Sequence, residues 1–405
     1  MASPATTPSP ETDALTTEFI GRRRTVFWLA LRAGMLTLLT LGVYRFWMKT
    51  RLRRWYWSAI RPGGLPLEYV GDPFEKLLGF LIAVVILAFY IGIVNLLLMF
   101  LSFSLFNGNS SAYAVSVVGV IPLWFYAKYR ARRYILARTR WRGLRFGLEP
   151  GAWGYAFRAL MYWALTIGTA GLLWPLMAFR LEQYRTNRTF YGDSRMQQGG
   201  RWTGLYRSMV PLFIAAFIAA GALGAEINGH LTGSATLGTI AVLIALYGLV
   251  HLRLRSLTYL TNTKSIGGVR LFIAPSTPRV AWILFIGYLL VAICMLPLAG
   301  GIAVVVVLLV QSTSDIGTIA GLDLSMIGDV QHWMLVVLGT GLYFGAFLLW
   351  TSLSHAFVTL PLLRHYAQRL SIQDPGEIAQ ISQRPRDETT QAEGFAEALD
   401  VGASL

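Results

Sequence analysis

The most constraining feature of this sequence is the absence of charge from long apolar segments. From Leu77 to Ala127 the chain contains no Asp, Glu, Lys, Arg or His, and the segments Ser208–Leu252 and Val280–Leu363 contain no Lys or Arg. An ionised side chain at the centre of a membrane-spanning helix costs about 2.5–3.5 kcal/mol on insertion scales. Segments of this length and character therefore predict helices that cross a bilayer, and they argue against a soluble fold.

The basic residues are concentrated between these segments. The 405-residue chain has 35 Lys and Arg residues against 20 Asp and Glu residues, which gives a formal net charge of +15. Such a charge can indicate nucleic-acid binding, but here the basic residues flank apolar segments, which is the positive-inside pattern of membrane proteins. We therefore expect the basic bands and both termini to be cytoplasmic and to face anionic phospholipid headgroups of the bilayer. We expect no nucleic-acid partner.

Two parts of the chain resemble each other at a spacing of about 126 residues. Arg32-Ala-Gly-Met35 matches Arg158-Ala-Leu-Met161, and Leu39-Thr-Leu-Gly42 matches Leu165-Thr-Ile-Gly168. Repeats in membrane proteins are usually architectural units. The matches predict two related membrane units, followed by a degenerate third unit that begins near Trp282.

The charge pattern also predicts the path of the chain through the membrane. Three apolar hairpins, Leu77–Ala127, Met209–Leu252 and Ala281–Leu363, have tips without Lys or Arg, so the tips are expected to face away from the cytoplasm. Two segments, Thr25–Trp47 and Trp153–Phe179, are interrupted by Gly and have basic residues at both ends. This favours a helix–turn–helix that enters and leaves the membrane on the same side. The alternative is a protein with eight helices that each cross the membrane.

We therefore predict an all-α polytopic membrane protein. It would have six spanning helices in three hairpins, two Gly-broken re-entrant or interfacial helix pairs, and short β pieces in the cytoplasmic junctions. The predicted division of the chain is a disordered N-terminus (1–18), a first membrane repeat unit (19–148), a second unit (149–274), a degenerate third unit (275–371) and an acidic cytoplasmic tail (372–405). The tail is a candidate docking segment for a protein partner.

Ionisable residues within the apolar segments are the first candidates for a binding site. Charged groups at such depth usually face the interior of a helix bundle or an aqueous cavity. Arg32 and Arg158 occupy equivalent positions of the repeat. Together with Thr40 and Thr166 they predict a polar cavity for an anionic solute or a lipid headgroup. The alternative is that both arginines extend to the cytoplasmic interface. The remaining candidates at apolar depth are Glu226 and His355.

Arg and aromatic residues collect in the junctions between the apolar segments. Trp and Tyr prefer the headgroup level of a bilayer, so an interfacial belt accounts for these residues without further assumption. Neighbouring Arg side chains can also bind lipid phosphate, at about 1 kcal/mol per basic residue near an anionic surface. The candidate lipid-contacting residues are Arg51, Arg53, Arg54, Trp55, Arg130, Arg132 and Arg133.

The sequence contains no recognisable catalytic or metal-binding motif. It has no HExxH, P-loop, GxSxG or CxxC pattern, and its five His residues are scattered. We therefore predict that the protein is not an enzyme and that it uses neither a metal nor another cofactor.

One motif resembles a known family. Leu38-Leu-Thr-Leu-Gly-Val-Tyr-Arg-Phe-Trp47, followed by Lys49-Thr-Arg-Leu-Arg-Arg-Trp55 and Leu67-Glu-Tyr-Val-Gly71, is similar to the signature of the YjgN-like bacterial inner-membrane proteins. That family is defined by a domain of unknown function, and the resemblance spans nearly the whole chain. It implies a location in the inner membrane of a Gram-negative bacterium, but it implies neither an activity nor site residues.

Two functions are compatible with these observations. The first is transport or binding of a small anionic solute or lipid. The alternative is a non-transporting membrane scaffold or regulator that docks a cytoplasmic or membrane partner. A polar cavity near the middle of the membrane would favour the first function, and a filled core with an exposed groove would favour the second.

Overall fold

The computed structural model describes residues 14–105, 111–313 and 332–384. These residues form two compact units. The second unit contains Gly21–Trp55 and the described part of Trp282–Arg364, and the first unit contains the remaining described residues. Most of the predicted hairpin tips Asn107–Ser111 and Gln311–Asp329 lies outside the described residues, as do positions 1–13 and 385–405.

Helices make up most of both units. In chain order they are α1 (Arg23–Leu39), α2 (Arg45–Ala59), α3 (Pro73–Leu105), α4 (Ser111–Ala137), α5 (Ala152–Gly168), α6 (Trp174–Thr186), α7 (Tyr206–Ile227), α8 (Leu231–Asn262), α9 (Thr277–Thr313), α10 (His332–Ser354) and α11 (Leu360–Ala367). The segment His355–Thr359 between α10 and α11 is a π-helix, and Trp202–Leu205 and Pro375–Gln380 are 3₁₀-helices. A helix satisfies its backbone groups within one segment, which suits long apolar sequences.

The prediction of an all-α fold is wrong, because ten short strands form one antiparallel sheet. The strands are β1 (Leu15–Phe19), β2 (Ile60–Pro62), β3 (Glu68–Tyr69), β4 (Thr139–Trp141), β5 (Leu144–Leu148), β6 (Thr189–Tyr191), β7 (Ser194–Gln198), β8 (Lys264–Ile266), β9 (Val269–Ile273) and β10 (Leu370–Gln373). Their order in the sheet is β2-β1-β10-β9-β8-β7-β6-β5-β4-β3. The predicted short β pieces therefore pair into a single sheet that belongs to the first unit.

The two edge strands of this sheet are consecutive in the chain. β2 and β3 lie at opposite ends of the strand order, yet only a short connection joins them. The Leu67 amide donates a hydrogen bond to the Ile60 carbonyl at 3.1 Å within this connection. The two edges must therefore lie near each other, and the sheet is curled into a half-barrel.

Nearly every strand contributes an apolar side chain to one core. Its buried members are Trp141, Tyr191, Ile266, Val269, Ile372 and Ile378. The Tyr191 hydroxyl donates to the Trp141 carbonyl at 2.9 Å, so the polar end of this buried ring is satisfied. Ile378 belongs to the 3₁₀-helix after β10, so the first part of the predicted tail packs against the sheet.

Four helical segments are long and apolar enough to cross a membrane. They are Trp202–Ile227, Leu231–Asn262, Thr277–Val310 and Trp333–Ala367. Large apolar side chains on them point outward: Phe217 is 82% exposed and Phe347 is 69% exposed. Such exposure suits contact with lipid, since apolar surface of this extent is unfavourable in water.

The prediction of six spanning helices is also wrong, because four segments of the described chain meet both conditions. Charge-free segments indicate where the chain is apolar, but they do not fix where each helix begins and ends. α4, for example, continues from its apolar part into the basic band as far as Ala137.

The helix pairs α1–α2 and α5–α6 contain the same turn. Leu41 and Gly42 have φ angles of 50° and 94°, and Ala170 and Gly171 have φ angles of 49° and 87°. In both turns the Gly amide donates at 2.7 Å to the carbonyl of a Thr five positions earlier. This bond and the left-handed residue before the Gly define a Schellman motif, which ends a helix.

These turns correct the register of the predicted repeat. Gly42 and Gly171 are 129 positions apart (171 less 42), not about 126. Gly168, which the sequence match paired with Gly42, is the last residue of α5 and lies before the turn. The Leu-Thr-Ile-Gly168 match was misleading because Thr and Gly occur twice within a few residues of this helix end.

Candidate functional site

An apolar slot lies between α4 and α5. It has a volume of about 780 Å³, which falls within the usual range for ligand pockets. Its lining residues are Ile121, Trp124, Phe125, Leu160, Trp163, Ala164 and Ile167. The lining is largely apolar, and only the indole N–H groups of Trp124 and Trp163 can donate a hydrogen bond, so the slot suits a hydrocarbon chain.

Packing between α4 and the start of α5 holds this slot in place. The Tyr129 hydroxyl donates to the Glu149 carbonyl at 2.7 Å, and Arg133 Nε donates to the Leu148 carbonyl at 3.1 Å. The rings of Tyr126 and Trp153 are 4.8 Å apart. The end of α4 nearest the sheet is therefore fixed to the β5–α5 junction, and the slot lies further along both helices.

A buried carboxylate lies beside this end of α4. Glu182 of α6 is only 8% exposed. Its carboxylate oxygens lie 2.6 Å from Arg185 Nη2, 2.6 Å from Lys264 Nζ and 3.5 Å from Arg132 Nη2. Burial alone would raise the pKa of Glu182, but the three cations outweigh burial and hold this pKa well below its usual range. Glu182 is therefore ionised and connects α4, α6 and β8.

Hydrogen bonds continue from this ion cluster toward α8. Thr186 lies between Glu182 and Gln198, at 3.4 Å from each side chain. The Gln198 amide donates to Thr263 at 2.6 Å and to the Leu260 carbonyl at 3.1 Å. Buried polar groups of this kind stabilise a fold when each of them has a partner.

Lys128 extends the positive charge of this cluster toward the slot. Phe125, Lys128 and Arg132 are spaced by three and four residues, so they share one face of α4. Lys128 Nζ lies 5.0 Å from the centroid of the Trp124 ring, and Lys128 forms no ion pair with any residue that the structure describes. Desolvation lowers the pKa of Lys128, and Arg185 and Arg132 lower it further. The surroundings of Lys128 thus hold more positive charge than Glu182 neutralises.

The predicted candidates Arg32 and Arg158 are exposed helix residues. The Arg32 guanidinium lies 5.9 Å from the Trp28 ring. Arg158 donates to the Gly154 carbonyl at 2.9 Å and lies 4.8 Å from the Tyr184 ring. With a register of 129, Arg32 and Arg158 are not equivalent positions, so the repeat no longer supports a shared role for them.

The equivalence of Thr40 and Thr166 is corrected in the same way. The exposed Thr40 hydroxyl accepts from the Tyr44 amide at 2.9 Å, and Thr169 does the same for Leu173 at 3.2 Å. Thr166 instead is buried, and its hydroxyl lies 3.7 Å from the Met177 sulfur. The residue of the α1–α2 turn that is equivalent to Thr166 is Thr37, whose hydroxyl lies 3.9 Å from the Met48 sulfur.

The other predicted binding residues lie apart from the Glu182 cluster along the chain. Glu226 and Ser234 line a groove between α7 and α8, and His355 begins the π-helix. Whether Glu226 and His355 bind a ligand stays a prediction.

The predicted lipid-contacting residues lie on two helices, α2 and α4. Arg51 lies 5.6 Å from the Tyr44 ring, whereas Arg53 of the same helix is buried. Arg54 and Trp55 follow in α2. Arg130 donates to the Tyr126 hydroxyl at 3.0 Å, and Arg133 is bonded to the Leu148 carbonyl as described above. Arg132 contacts Glu182.

Sequence reasoning missed Lys128, Glu182, Arg185 and Lys264. One signal was present, since Glu182 is the single acidic residue in the basic stretch from Arg180 to Arg188. Its partner Lys264 is 82 positions away, and nothing in the local pattern indicates that pairing.

Comparisons with known proteins identify a family. No curated protein and no solved structure matches this chain. The model of a family described as "Bacterial protein of unknown function (DUF898)" matches residues 14–398. This is the same family as the YjgN-like proteins, so the resemblance seen in the sequence is confirmed. The chain therefore belongs to the DUF898 family of bacterial proteins of unknown function.

Proposed function

We propose that this protein is an integral protein of the bacterial inner membrane that binds an anionic phospholipid at the slot between α4 and α5. An acyl chain would occupy the slot, and the lipid phosphate would contact Lys128 and Arg132. The proposal rests on one face of α4. On this face Phe125, which lines the slot, is followed by the two cations Lys128 and Arg132.

The charge balance supports an anionic headgroup over a neutral one. Lys128, Arg132, Arg185 and Lys264 surround the single carboxylate of Glu182, so an added phosphate would lower the remaining repulsion among the cations. Trp124 lies beside Lys128, at the boundary between the apolar and the charged part of the site. Trp side chains favour this boundary because one edge is polar and the ring body is apolar.

The sidedness of the proposal follows from the basic bands. Positively charged ends of apolar segments usually lie on the cytoplasmic side, and this supports a cytoplasmic position for Lys128, the sheet and both termini as part of the proposal. The proposal concerns binding. Transport of an anionic solute, and docking of a partner through the tail at residues 372–405, stay predictions.

Native mass spectrometry of the detergent-purified protein tests this proposal. Lys128→Gln removes the unpaired cation, and we expect retention of phosphatidylglycerol to fall about fivefold, as about 1 kcal/mol per basic residue implies. Ala164→Phe fills the slot without changing any charge and should weaken retention as well. Arg130→Gln is the matched control, because Arg130 bonds Tyr126 and does not share the face of Lys128.

The expected pattern distinguishes a site from general attraction to the membrane surface. Phosphatidylglycerol should be lost from Lys128→Gln and Ala164→Phe but retained by Arg130→Gln. The proposal fails if the first two variants retain this lipid as the unaltered protein does, or if Arg130→Gln loses it equally.

A further inference from the structure

A second pocket, which has several polar side chains in its lining, lies where α7 begins and α8 ends. It has a volume of about 460 Å³. Its polar lining side chains are Arg207 and Ser208 of α7 and His251, Arg255, Thr258 and Asn262 of α8. The Asn262 amide already bonds the Ile273 backbone, and the Ser208 hydroxyl pairs with Ser256, so recognition of a ligand falls to Arg207, Arg255 and His251. His251, Arg255, Thr258 and Asn262 are spaced by three and four residues, so they share one face of α8. The pocket therefore has a polar wall on one helix and an Arg side chain on the other.

The two arginines of this pocket have no counter-charge among the residues that the structure describes. Neither Arg207 nor Arg255 forms a hydrogen bond or an ion pair with the part of the chain that the structure describes. The Nδ1 atom of His251 is buried and has no hydrogen-bond partner there either. A buried polar atom without a partner is unfavourable, and a ligand that bonded it would remove this cost.

The walls of the pocket are held rigidly. The buried hydroxyls of Ser208 and Ser256 lie 3.1 Å apart, and each of these serines is the neighbour in sequence of one of the two arginines. The Tyr259 hydroxyl accepts from the Arg201 amide at 2.9 Å and donates to the Arg201 carbonyl at 2.8 Å.

Gly204 allows this close approach. A Cβ atom at position 204 would lie 2.5 Å from the Tyr259 ring, so only glycine fits there. The 3₁₀-helix before α7 is therefore fixed against α8, and the pocket is preorganised rather than formed by a mobile segment.

From these observations we infer that the pocket between α7 and α8 binds a phosphate group. Two guanidinium groups present planar pairs of donors that match phosphate oxygens. The phosphate could belong to a soluble phosphate compound or to a lipid headgroup, since Arg207 and Arg255 lie near the ends of two apolar helices. This site shares no residue with the slot beside Lys128.

Calorimetric titration of the delipidated protein in a neutral maltoside detergent tests the inference. The probes are inorganic phosphate and phosphatidylglycerol in mixed micelles. Arg207→Gln and Arg255→Gln should each weaken binding of the recognised probe about tenfold, the usual effect of losing a charged hydrogen bond. Arg253→Gln is the matched control, because Arg253 is on the same helix and does not line the pocket.

The two probes separate the two sources of phosphate. Loss of inorganic phosphate binding in the pocket variants identifies a soluble ligand, and loss of phosphatidylglycerol binding alone identifies a lipid; both results support the site. Thr258→Phe fills the pocket at constant charge and should also weaken binding. The inference is overturned if the pocket variants bind both probes normally, or if Arg253→Gln weakens binding as much as Arg255→Gln. Lys128→Gln should leave phosphate binding at this pocket unchanged, so the two proposals can fail separately.

Discussion

The helix pairs α1–α2 and α5–α6 turn in the same way but differ in charge at a matched position. Their turns have nearly identical φ angles, and in both a Thr hydroxyl lies close to a Met sulfur eleven positions later. With the same spacing of 129, Arg53 corresponds to Glu182, and both side chains are buried. The two helix pairs thus share the same backbone turn, but the buried charge at the equivalent position is positive in α2, at Arg53, and negative in α6, at Glu182.

The buried carboxylate distinguishes the α5–α6 pair most strongly, so its removal should have the largest effect. Glu182→Gln leaves Arg132, Arg185 and Lys264 without a counter-charge, and breaking a buried pair in this way costs about 3–5 kcal/mol. We expect a large fall in the thermal unfolding temperature in detergent. Glu149→Gln is the control, because its partner Arg195 is largely exposed and such pairs contribute little. Equal destabilisation by both variants would contradict a special role for Glu182.

The same carboxylate predicts how stability depends on pH. The folded state lowers the pKa of Glu182, so the unfolded state binds its proton first as the pH falls. The stabilisation from Glu182 is complete above the unfolded pKa, about 4.3 for Glu, and is lost as the pH falls from there toward the lower folded value. The difference in unfolding temperature between the unaltered protein and Glu182→Gln should therefore shrink below about pH 4. A constant difference across this range would show that Glu182 is not the titrating group.

The turns themselves can be tested by two glycines of α5–α6. Gly171 has a φ of 87°, so Gly171→Ala places a side chain in a left-handed conformation at a cost of about 1–2 kcal/mol. Gly168 ends α5 and would meet no atom within 4 Å on gaining a Cβ. Gly168→Ala should therefore be neutral or slightly stabilising.

Thermal unfolding of the two variants decides between the registers. A spacing of 129 requires Gly171→Ala to be the harmful change, whereas a spacing of about 126 would require Gly168→Ala to be harmful. Gly42→Ala, at a φ of 94°, should repeat the effect of Gly171→Ala in the other turn.

The sequence indicated where the chain is apolar, but it predicted neither the number of spanning helices nor the single sheet, and the reason is physical. Exclusion of charge extends over whole helices, so it is visible without knowledge of any contact. The strands are too short to show a clear alternation, and their pairing is not local: β10, near the end of the described chain, pairs with β1 at its beginning. β2 and β3 are near neighbours in sequence but lie at opposite edges of the sheet.

The site shows the same contrast between local and non-local signals. Trp124 and Lys128 are four residues apart on one helix and are therefore neighbours on its surface. The basic band that contains Arg132 was also visible in the sequence. The Glu182 cluster joins side chains from α4, α6 and β8, which only the folded sheet brings together. The predicted equivalence of Gly42 with Gly168 was wrong because short Leu-Thr-X-Gly matches do not distinguish the helix end from the turn that follows it.

The smallest expected effect concerns the residue before each turn glycine. Leu41 and Ala170 adopt φ angles of 50° and 49°, a conformation that is unfavourable for residues with a Cβ. Ala170→Gly should relieve this strain, but glycine also gains entropy in the unfolded chain, so the net gain should be about 0.5–1 kcal/mol. Leu41 is 96% exposed, so Leu41→Gly loses almost no packing and should give a similar gain. A small rise in unfolding temperature for both variants would show that the two turns store the same strain. A rise for only one of them would show that the similarity of the turns ends at their backbone geometry.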